Sequence, residues 1–405
     1  MPVPFILFIA PGAKMNFEEK FDLVVVGGGP AGSVSAKTAA EKGVKTLLLE
    51  KDRDFGIPVR CAEGIGLEYL SLFIEPSNKW IDNSLEKVRM HAPNGKEVHI
   101  YLGEQGAIVN RKVFDFELAL LASKHGAHVR NRCCVTMMQR ENGGLRLEFE
   151  HYGKKYTVKA PLVIGADGVE SRIGRWAGLK TNIPPIDIES SFQYVLHHKN
   201  IDVQYCDFFF GEYIAPGGYI WVFPKGENLA NVGIGVAASR TKNRSAKELL
   251  DDFVSKNFPG ASQLSSIAGA VPAAKAHKQI IADNVMLAGD AASQVNPLTG
   301  GGIMSSMWGG RFAGLTAVEA LSKGVFSKNS LAGYPKAYHK KVGETYDRHY
   351  RIKQAVHKLP DEVLNRTADL LLDIPLEQRT LRKIFQFALV NEPGLVIDII
   401  KAFFG

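Results

Sequence analysis

The stretch Phe21-Asp-Leu-Val-Val-Val-Gly27-Gly-Gly-Pro-Ala-Gly32 decides the fold of this chain of 405 residues. Its first six residues form an apolar, valine-rich run, which is typical of a strand buried on both faces. Residues 33–41 follow, and their high alanine content favours a helix. The order of strand, glycine turn and helix predicts the first unit of an α/β fold with a parallel sheet. Further along, residues 127–135 are predicted to form one strand, and residues 143–150 and 155–159 a hairpin of alternating strands.

The glycines of this turn carry the first functional signal. Gly27 permits the tight turn, Gly29 lets the backbone approach a pyrophosphate, and Gly32 lets helix and strand pack closely. The helix that begins near Ala31 offers free N–H groups and the positive end of its dipole. We therefore expect Gly27, Gly29, Ala31 and Gly32 to bind a dinucleotide, against the alternative of a glycine-rich turn without a ligand.

A carboxylate stands where such a site needs one. Residues 45–49 form a second apolar strand, and Glu50 follows it. An acid about 20 residues beyond the glycine turn accepts hydrogen bonds from ribose hydroxyl groups. Strand, helix and acid together predict a Rossmann-like domain in which Glu50 contacts the dinucleotide.

The composition is that of an ordinary globular protein, with 45% hydrophobic and 22% charged residues, and it excludes a disordered or fibrous chain. The formal net charge is +7, and residues 311–358 contain ten basic and three acidic residues. We interpret this stretch either as a solvated helical surface or as a face for anionic lipid or an acidic protein. No nucleic-acid partner is indicated.

Cysteine use predicts the compartment. The chain has four cysteines, which form no CxxC pair, so no metal site is expected. We predict free thiols in a reducing, cytoplasmic compartment. The apolar run from Val3 to Ala10 is too short to span a bilayer, which leaves peripheral contact with a membrane as the open possibility.

Three glycine motifs occur later in the chain: Gly-Ala-Asp-Gly at 165–168, Gly-Asp-Ala at 289–291 and three glycines at 300–302. Together with the first turn, they resemble the FAD-dependent oxidoreductases built like p-hydroxybenzoate hydroxylase. The resemblance covers most of residues 21–325 and implies FAD as the cofactor.

The same resemblance implies roles for five residues. Asp290 would contact the ribityl or pyrophosphate part of FAD, and Gly302 and Ile303 would bring a helix amino end to the flavin pyrimidine. Reduced flavin carries negative charge there, which N–H donors and a helix dipole stabilise. Arg111 and Val135 are likewise expected at the cofactor.

Two segments narrow the family: Pro58-Val-Arg-Cys-Ala-Glu-Gly-Ile65 and Pro216-Gly-Gly-Tyr-Ile-Trp-Val-Phe-Pro-Lys225. Both resemble the geranylgeranyl reductase family, whose archaeal members saturate the isoprenoid chains of digeranylgeranylglycerophospholipids. The resemblance implies that this chain is an FAD-dependent reductase of such prenyl lipids. It also places Cys61, Ala62 and Gly64 beside the flavin.

The resemblance completes the predicted architecture, an α/β (α+β overall) fold with interleaved domains. A Rossmann-like FAD-binding domain is joined to an antiparallel-sheet substrate domain for the prenyl lipid and to a helical C-terminal region. The predicted ranges are 1–20 for an N-terminal extension, 21–71, 105–180 and 275–330 for the FAD-binding domain, 72–104 and 181–274 for the substrate domain, and 331–405 for the helical region.

The chemistry of the implied reaction selects further residues. Tyr219, Trp221 and Phe223 alternate along one predicted strand, so their rings would share a face and could wall an apolar tunnel. An ordinary packed sheet face is the alternative. Saturating an unactivated alkene requires hydride from reduced FAD and a proton from a nearby group. Cys61 is the candidate for a catalytic polar group at the reacting face.

Several alternatives stay open. A flavin monooxygenase or halogenase would share the fold, and a non-enzymatic prenyl-binding protein would share the scaffold. The sequence contains one strand, glycine turn and helix fingerprint near its start and no second one for NADPH. The external electron donor is therefore predicted to be transiently bound NADPH, a ferredoxin or another carrier.

Overall fold

The computed structural model describes residues 18–241, 243–357, 359–376 and 379. Most of the predicted extension at 1–20 and most of residues 377–405 lie outside this part. The strands of the described residues are β1 (Glu18–Lys20), β2 (Leu23–Val26), β3 (Thr46–Leu49), β4 (Gly64–Gly66), β5 (Ile81–His91), β6 (Glu97–Val109), β7 (His128–Arg130), β8 (Cys133–Glu141), β9 (Gly144–His151), β10 (Lys154–Ala160), β11 (Leu162–Gly165), β12 (Ile188–His197), β13 (Cys206–Phe209), β14 (Tyr219–Gly226), β15 (Leu229–Ala237), β16 (Ser262–Pro272), β17 (Ile281–Ala282) and β18 (Val285–Leu287).

Helices fill most of the connections and the C-terminal part. Among the described residues, no helix is both long and apolar enough to cross a membrane. The helices are α1 (Pro30–Ala40), α2 (Arg111–Lys124), α3 (Arg172–Trp176), α4 (Ala246–Asn257), α5 (Ile303–Lys323), α6 (Gly333–Tyr338), α7 (Glu344–Val356) and α8 (Asp361–Leu372).

A six-stranded sheet, in the order β17-β18-β11-β2-β3-β7, contains the strand that leads into the first glycine turn. Strand β2 pairs in parallel with β3 and with β11, and all residues of these three strands are buried. Strands buried on both faces need valine- and leucine-rich runs of this kind. This sheet, with α1 packed on it, confirms the predicted Rossmann-like α/β fold.

A four-stranded sheet, in the order β1-β10-β9-β8, packs into the same core. Its antiparallel pair β9 and β10 is the hairpin that alternating residues predict. Residues 127–135 read from the sequence as one strand, but that interpretation is wrong. The chain turns at Arg132, whose φ of +53° is left-handed, so β7 joins the six-stranded sheet and β8 joins this one.

An eight-stranded sheet, in the order β16-β12-β15-β14-β13-β5-β6-β4, forms the third layer. Its pairs are antiparallel except β5 with β13. The sheet takes in residues 64–66 and 105–109, which the sequence assigned to the FAD-binding domain. The reason is that β6 continues its pairing with β5 and β4 as far as Val109.

Helix α5 lies very close to α1, and glycines make this possible. A Cβ atom at Gly310 would lie 2.2 Å from the carbonyl oxygen of Ala31, and one at Gly314 would lie 2.8 Å from Cβ of Thr38. Only a residue without a side chain fits at these positions. Because α1 starts at one glycine motif and α5 at another, this contact fixes the two motifs relative to each other.

The close approach of α5 to α1 predicts that Gly310→Ala destabilises the protein. The added methyl group forces the helices apart, and overpacking of this kind costs about 1–3 kcal/mol. Gly333→Ala is the matched control, since a Cβ atom there would meet no atom within 4 Å. Thermal unfolding should show a lower Tm for Gly310→Ala alone. Equal Tm values for the two variants and the unchanged protein would contradict the helix contact.

Candidate cofactor and substrate site

The first glycine anchor is the turn at residues 27–32. Its glycines leave no room for a side chain except at Gly29. A Cβ atom at Gly27 would lie 2.1 Å from the carbonyl oxygen of Ala166, and one at Gly32 would lie 1.8 Å from that of Gly27. At Gly29, which caps α1, an added Cβ atom would meet nothing within 4 Å. This open position at a helix amino end suits an anionic group such as a pyrophosphate.

Glu50 stands at the carboxyl end of β3 and is oriented by two backbone donors. Its Oε2 accepts the Gly28 N–H at 2.6 Å, and its Oε1 accepts the Asp52 N–H at 2.8 Å. A carboxylate has about four acceptor positions, so both oxygens retain capacity for a further donor. The side chain is thus held in place for a ribose hydroxyl group.

The second glycine anchor consists of residues 289–291 and 300–302, and it adjoins the first. A Cβ atom at Gly289, which has a φ of +68°, would lie 2.9 Å from Cβ of Ala31. Asp290 follows, and a Cβ atom at Gly302, the cap of α5, would lie 3.8 Å from its Oδ1. Burial raises the pKa of Asp290, and the charge of Arg111 partly offsets this rise. Asp290 and Gly302 therefore adjoin each other beside the first anchor, and Arg111 lies within electrostatic range of Asp290.

Residues 58–63 form the loop that carries Cys61, the Cys61 loop. Its backbone carbonyl groups accept hydrogen bonds from side chains of the eight-stranded sheet. Gln193 of β12 donates to the Cys61 carbonyl at 3.0 Å, and Asn231 of β15 donates to the Ala62 carbonyl at 3.0 Å. The Cys61 Sγ accepts the Glu63 N–H at 3.2 Å. Burial raises the pKa of Cys61, with Arg111 acting against the rise, so the thiol stays protonated at neutral pH.

Glu63 anchors this loop from inside. It is buried, with 4% exposed surface, and its φ of +73° lies in the left-handed region. Its Oε1 accepts the backbone N–H of Arg111 at 2.8 Å, and its Oε2 accepts hydrogen bonds from Asn231, at 2.7 Å, and from Lys225. Lys225 also pairs with Asp82 at 2.8 Å. One carboxylate thus joins the Cys61 loop, the start of α2 and two strands.

Arg111 is held at the centre of the site by its own helix. Its guanidinium donates two hydrogen bonds of 2.6 Å to Asp115, which is one turn further along α2. Burial would lower the pKa of Arg111, but Asp115 and Cys61 raise it above the usual value. The charge therefore persists between Cys61 and Asp290.

The aromatic wall (Tyr219, Trp221, Phe223) lies on one face of the eight-stranded sheet, as predicted. Neighbouring rings of the wall are 6.0 and 6.4 Å apart. Phe208 extends the wall, with its ring 5.3 Å from that of Phe223. A Cβ atom at Gly64 would lie 3.1 Å from the Phe223 ring, so the Cys61 loop faces this wall.

Tyr219 connects the wall to the second anchor. Its hydroxyl group donates to the Thr299 carbonyl at 2.5 Å, and a Cβ atom at Gly300 would lie 3.9 Å from that hydroxyl. Burial raises the pKa of the Tyr219 hydroxyl group. The wall, the Cys61 loop and the glycines before α5 therefore border one region.

The predicted residues of the two glycine anchors, the Cys61 loop and the aromatic wall border one another, and Ile303 follows Gly302 as the first residue of α5. Val135 is the exception. It lies in β8 of the four-stranded sheet, buried opposite Phe149, and the structure gives it a packing contact. The cofactor contact at Val135 stays a prediction.

Sequence reasoning missed the residues that hold the site in place. Four of them stand within or beside strands, and Asp115 lies in α2. A polar residue inside an apolar stretch is a signal in its own right, because a buried polar group needs a partner. The missed residues are Glu63, Asp115, Gln193, Lys225 and Asn231.

Comparison with known proteins identifies the family. A family model described as the geranylgeranyl reductase catalytic domain matches residues 187–271, and one described as FAD dependent oxidoreductase matches residues 22–189. A digeranylgeranylglycerophospholipid reductase from Methanosarcina acetivorans is 43% identical over 389 residues, which is 94% of this chain and 95% of that protein. The chain belongs to the geranylgeranyl reductase family. The predicted family, the class of FAD-dependent oxidoreductase and FAD as cofactor are confirmed.

Two further geranylgeranyl reductase relatives match this chain over nearly its full length. A digeranylgeranylglycerophospholipid reductase from Methanothrix thermoacetophila is 40% identical and covers 93% of this chain and 98% of its own. The structure of a geranylgeranyl bacteriochlorophyll reductase-like protein from Thermoplasma acidophilum has a TM-score of 0.90 and 34% identity, and the match covers 95% of this chain and 100% of that one.

A flavin-dependent brominase shares the fold alone. It has a TM-score of 0.69 and 15% identity, with 93% of this chain and 99% of that chain covered. This shared fold explains why the sequence leaves a halogenase open as an alternative. It does not support halogenation by this chain.

The buried Glu63 carboxylate predicts that Lys225→Met strongly destabilises the protein. Removing one partner of a buried ion pair leaves an uncompensated charge and costs about 3–5 kcal/mol. Lys247→Met is the control, because Lys247 forms an ion pair with Asp251 at the surface. Urea unfolding should move to a lower midpoint in Lys225→Met and stay nearly unchanged in the control. Equal midpoints would show that Lys225 does not hold Glu63.

Proposed function

We propose that this protein reduces the double bonds of geranylgeranyl chains in archaeal membrane-lipid precursors, such as a digeranylgeranylglyceryl phosphate or phospholipid. The observation that carries the proposal is the aromatic wall facing the Cys61 loop beside the second glycine anchor. A long apolar chain needs an apolar wall of this kind next to the redox group. The 43% identity to a reductase named for such a lipid supports the same substrate class.

The cofactor residues are part of the proposal. The glycine turn, with Gly27, Gly29, Ala31 and Gly32, would hold the pyrophosphate, and Glu50 would hold the adenosine ribose. The residues proposed at the flavin half are Cys61, Ala62, Gly64, Arg111, Asp290, Gly302 and Ile303, and Val135 is proposed as a cofactor contact without an assigned half. The residues present fit FAD, since Gly29 leaves the helix amino end open and both anchors adjoin. When bound and reduced, FAD supplies hydride.

The chain itself orients the substrate and excludes water. Trp221 and Phe223 are buried, and with Tyr219 they would form one side of the seat for the prenyl chain. Cys61 would contact the reacting end of the chain from the other side. Its raised pKa makes the thiol a poor proton donor, so we assign it a contact role rather than an acid role.

An external electron donor belongs to the same proposal. The described residues contain a single glycine turn of the dinucleotide-binding kind, and the proposal assigns it to FAD. NADPH bound transiently, a ferredoxin or another carrier would then deliver electrons from outside.

Peripheral contact with a membrane would give access to the lipid substrate. We propose that it is made by an aromatic and basic patch (Tyr69, Leu72, Trp308, Arg311, Leu315, Lys341). Tyr69 and Leu72 are 50% and 47% exposed, and Leu315 is 41% exposed. The Lys341 Nζ lies 4.8 Å from the Tyr69 ring and 4.7 Å from the Trp308 ring. Exposed apolar groups among basic ones suit an anionic bilayer surface.

Incubation of the dithionite-reduced, FAD-loaded protein with a digeranylgeranylglyceryl phosphate tests the function. Mass spectrometry should show a gain of two hydrogen atoms for each bond reduced. Tyr219→Ala should lower the yield because it opens the wall, whereas Tyr213→Ala, at a position 81% exposed, should not. A product that gains oxygen or halogen would replace the proposal with the monooxygenase or halogenase alternative. Unchanged lipid would favour a binding protein.

Vesicle sedimentation tests the membrane contact. The protein should pellet with vesicles of anionic phospholipid at low salt and less at high salt, because salt screens the attraction. The double variant Leu72→Ser with Lys341→Glu should bind less than Lys247→Glu, which makes the same charge change elsewhere. Absence of binding at both salt concentrations ends the proposal, as does equal binding of the two variants. Saturable binding of an acidic ferredoxin by the patch, without vesicle binding, would assign it to the electron donor instead.

A further inference from the structure

Strand β12 presents a row of polar side chains beside the aromatic wall. They occupy alternate positions and therefore share one face of the sheet. Gln193 shows that this is the face of the wall, since its Oε1 accepts the Trp221 indole N–H at 3.0 Å. The polar row is Glu189, Ser191 and Gln193.

Two glycines of β15 separate the polar row from the wall. Gly233 pairs with Gln193 on one side and with Trp221 on the other, and Gly235 pairs with Ser191 and with Tyr219. A Cβ atom at Gly235 would lie 3.5 Å from the Ser191 hydroxyl oxygen and 3.8 Å from the Trp221 ring. The Trp221 ring itself covers Gly233, because a Cβ atom there would lie 2.3 Å from that ring. The groove therefore lies over Gly235, with aromatic rings on one side and polar groups on the other.

Glu189 stands at the end of this groove nearest the second anchor. A Cβ atom at Gly235 would lie 4.0 Å from Cβ of Glu189, and Tyr219 pairs with the same glycine. Tyr219 in turn reaches the Thr299 carbonyl with its hydroxyl group. The Glu189 carboxyl group thus lies beside the part of the groove that borders Gly300.

A buried lysine of α7 sits behind Glu189. The Lys353 Nζ lies 3.3 Å from the Glu189 Oε1 and 3.7 Å from the Asp187 Oδ1, and it donates to the Ala273 carbonyl at 2.8 Å. The Tyr350 hydroxyl donates to the Asp187 Oδ2 at 2.9 Å. The Glu189 Oε2 is buried and has no hydrogen-bond partner among the described residues.

Two carboxyl groups share this one ammonium group, so full ionisation would leave a net charge in a buried site, which is costly. Burial raises the pKa of Glu189, Asp187 adds to the rise, and Lys353 and Arg240 act against it. Glu189 also lies close enough to Tyr219 to raise the pKa of its hydroxyl group. Asp187 accepts the Tyr350 hydrogen bond, whereas no described donor reaches the Glu189 Oε2, so a proton shared in this cluster is best placed on Glu189.

The neighbouring acids are weaker. The ordinary pKa values of a thiol and of a phenolic hydroxyl group are already higher than that of a carboxyl group. Burial raises the pKa of the Cys61 thiol and of the Tyr219 hydroxyl group further. A protonated carboxyl group is therefore the strongest acid on this face of the groove.

Resting on the reductase function proposed above, we propose that the Glu189 carboxyl group donates the proton that completes reduction of the alkene. The π bond breaks, and one carbon receives hydride, with both electrons, from the reduced cofactor. The other carbon forms a C–H bond with the proton that leaves Glu189. The proton transfer would leave Glu189 as a carboxylate opposite Lys353, and loss of the hydride would leave the cofactor oxidised.

Single-turnover reoxidation of the reduced holoenzyme by the prenyl lipid tests this assignment. In the unchanged protein the rate should fall as pH rises through the pKa of Glu189, because only the protonated group donates. Glu189→Gln should lower the rate by about 100-fold or more and remove this pH dependence. Glu189→Asp should recover part of the rate. FAD content and dithionite reduction should stay unchanged in both.

Asp187→Asn is the matched control, since it removes the other carboxylate that shares Lys353. It should keep the maximal rate and shift the pH dependence to lower pH, because Asp187 no longer raises the pKa of Glu189. An equal loss in Asp187→Asn and Glu189→Gln would mean that the ion cluster is structural and would overturn the assignment.

Three other results also overturn it. One is an unchanged rate and pH profile in Glu189→Gln, and another is loss of the pH dependence in Cys61→Ser instead. If Glu189→Gln does not bind FAD, the Asp187→Asn variant decides. A pH profile of its rate identical to that of the unchanged protein then contradicts the assignment. Failure of the unchanged protein to reduce any prenyl lipid is distinguishable, because it removes the proposed function first.

Discussion

Glu63 carries a carboxylate into the interior, where Lys225, Asn231 and the backbone N–H of Arg111 surround it. Each partner belongs to a different element, so this contact joins the Cys61 loop to the eight-stranded sheet and to α2. Glu63 has a left-handed backbone and a buried side chain, and the neighbouring Cys61 and Ala62 are held by their carbonyl groups. The position of the proposed reacting face follows from this buried charge and its neutralisation.

The second constraint is steric, and it brings the two glycine anchors together. Ala31 contacts Gly289 on one side and Gly310 on the other, and neither contact leaves room for a side chain. Helices α1 and α5 therefore direct their amino ends to adjoining positions. Two helix amino ends that adjoin in this way favour an extended anionic ligand, with phosphates at one end and a reduced ring at the other.

Local patterns allowed much of this to be predicted from the sequence. The strand, turn and helix around Gly27 depend on neighbouring residues, and the alternation of Tyr219, Trp221 and Phe223 fixes their common face. Residues 127–135 could not be divided correctly, because the left-handed turn at Arg132 is not a strong signal in a residue other than glycine. Lys225 and Asn231 meet Glu63 from far along the chain, so no local pattern reveals that contact. The Glu189 and Lys353 pair depends on how α7 packs, which periodicity does not determine.

The central claim is that one FAD extends from the first glycine anchor to the second and ends between the Cys61 loop and the aromatic wall. A crystal structure of the FAD-loaded protein tests it most directly. The claim predicts the adenosine ribose at Glu50, the pyrophosphate at Gly29, and the flavin ring beside Asp290, Gly302 and Cys61. A flavin ring bound away from the Cys61 loop, with the second anchor contacting only protein, would contradict it.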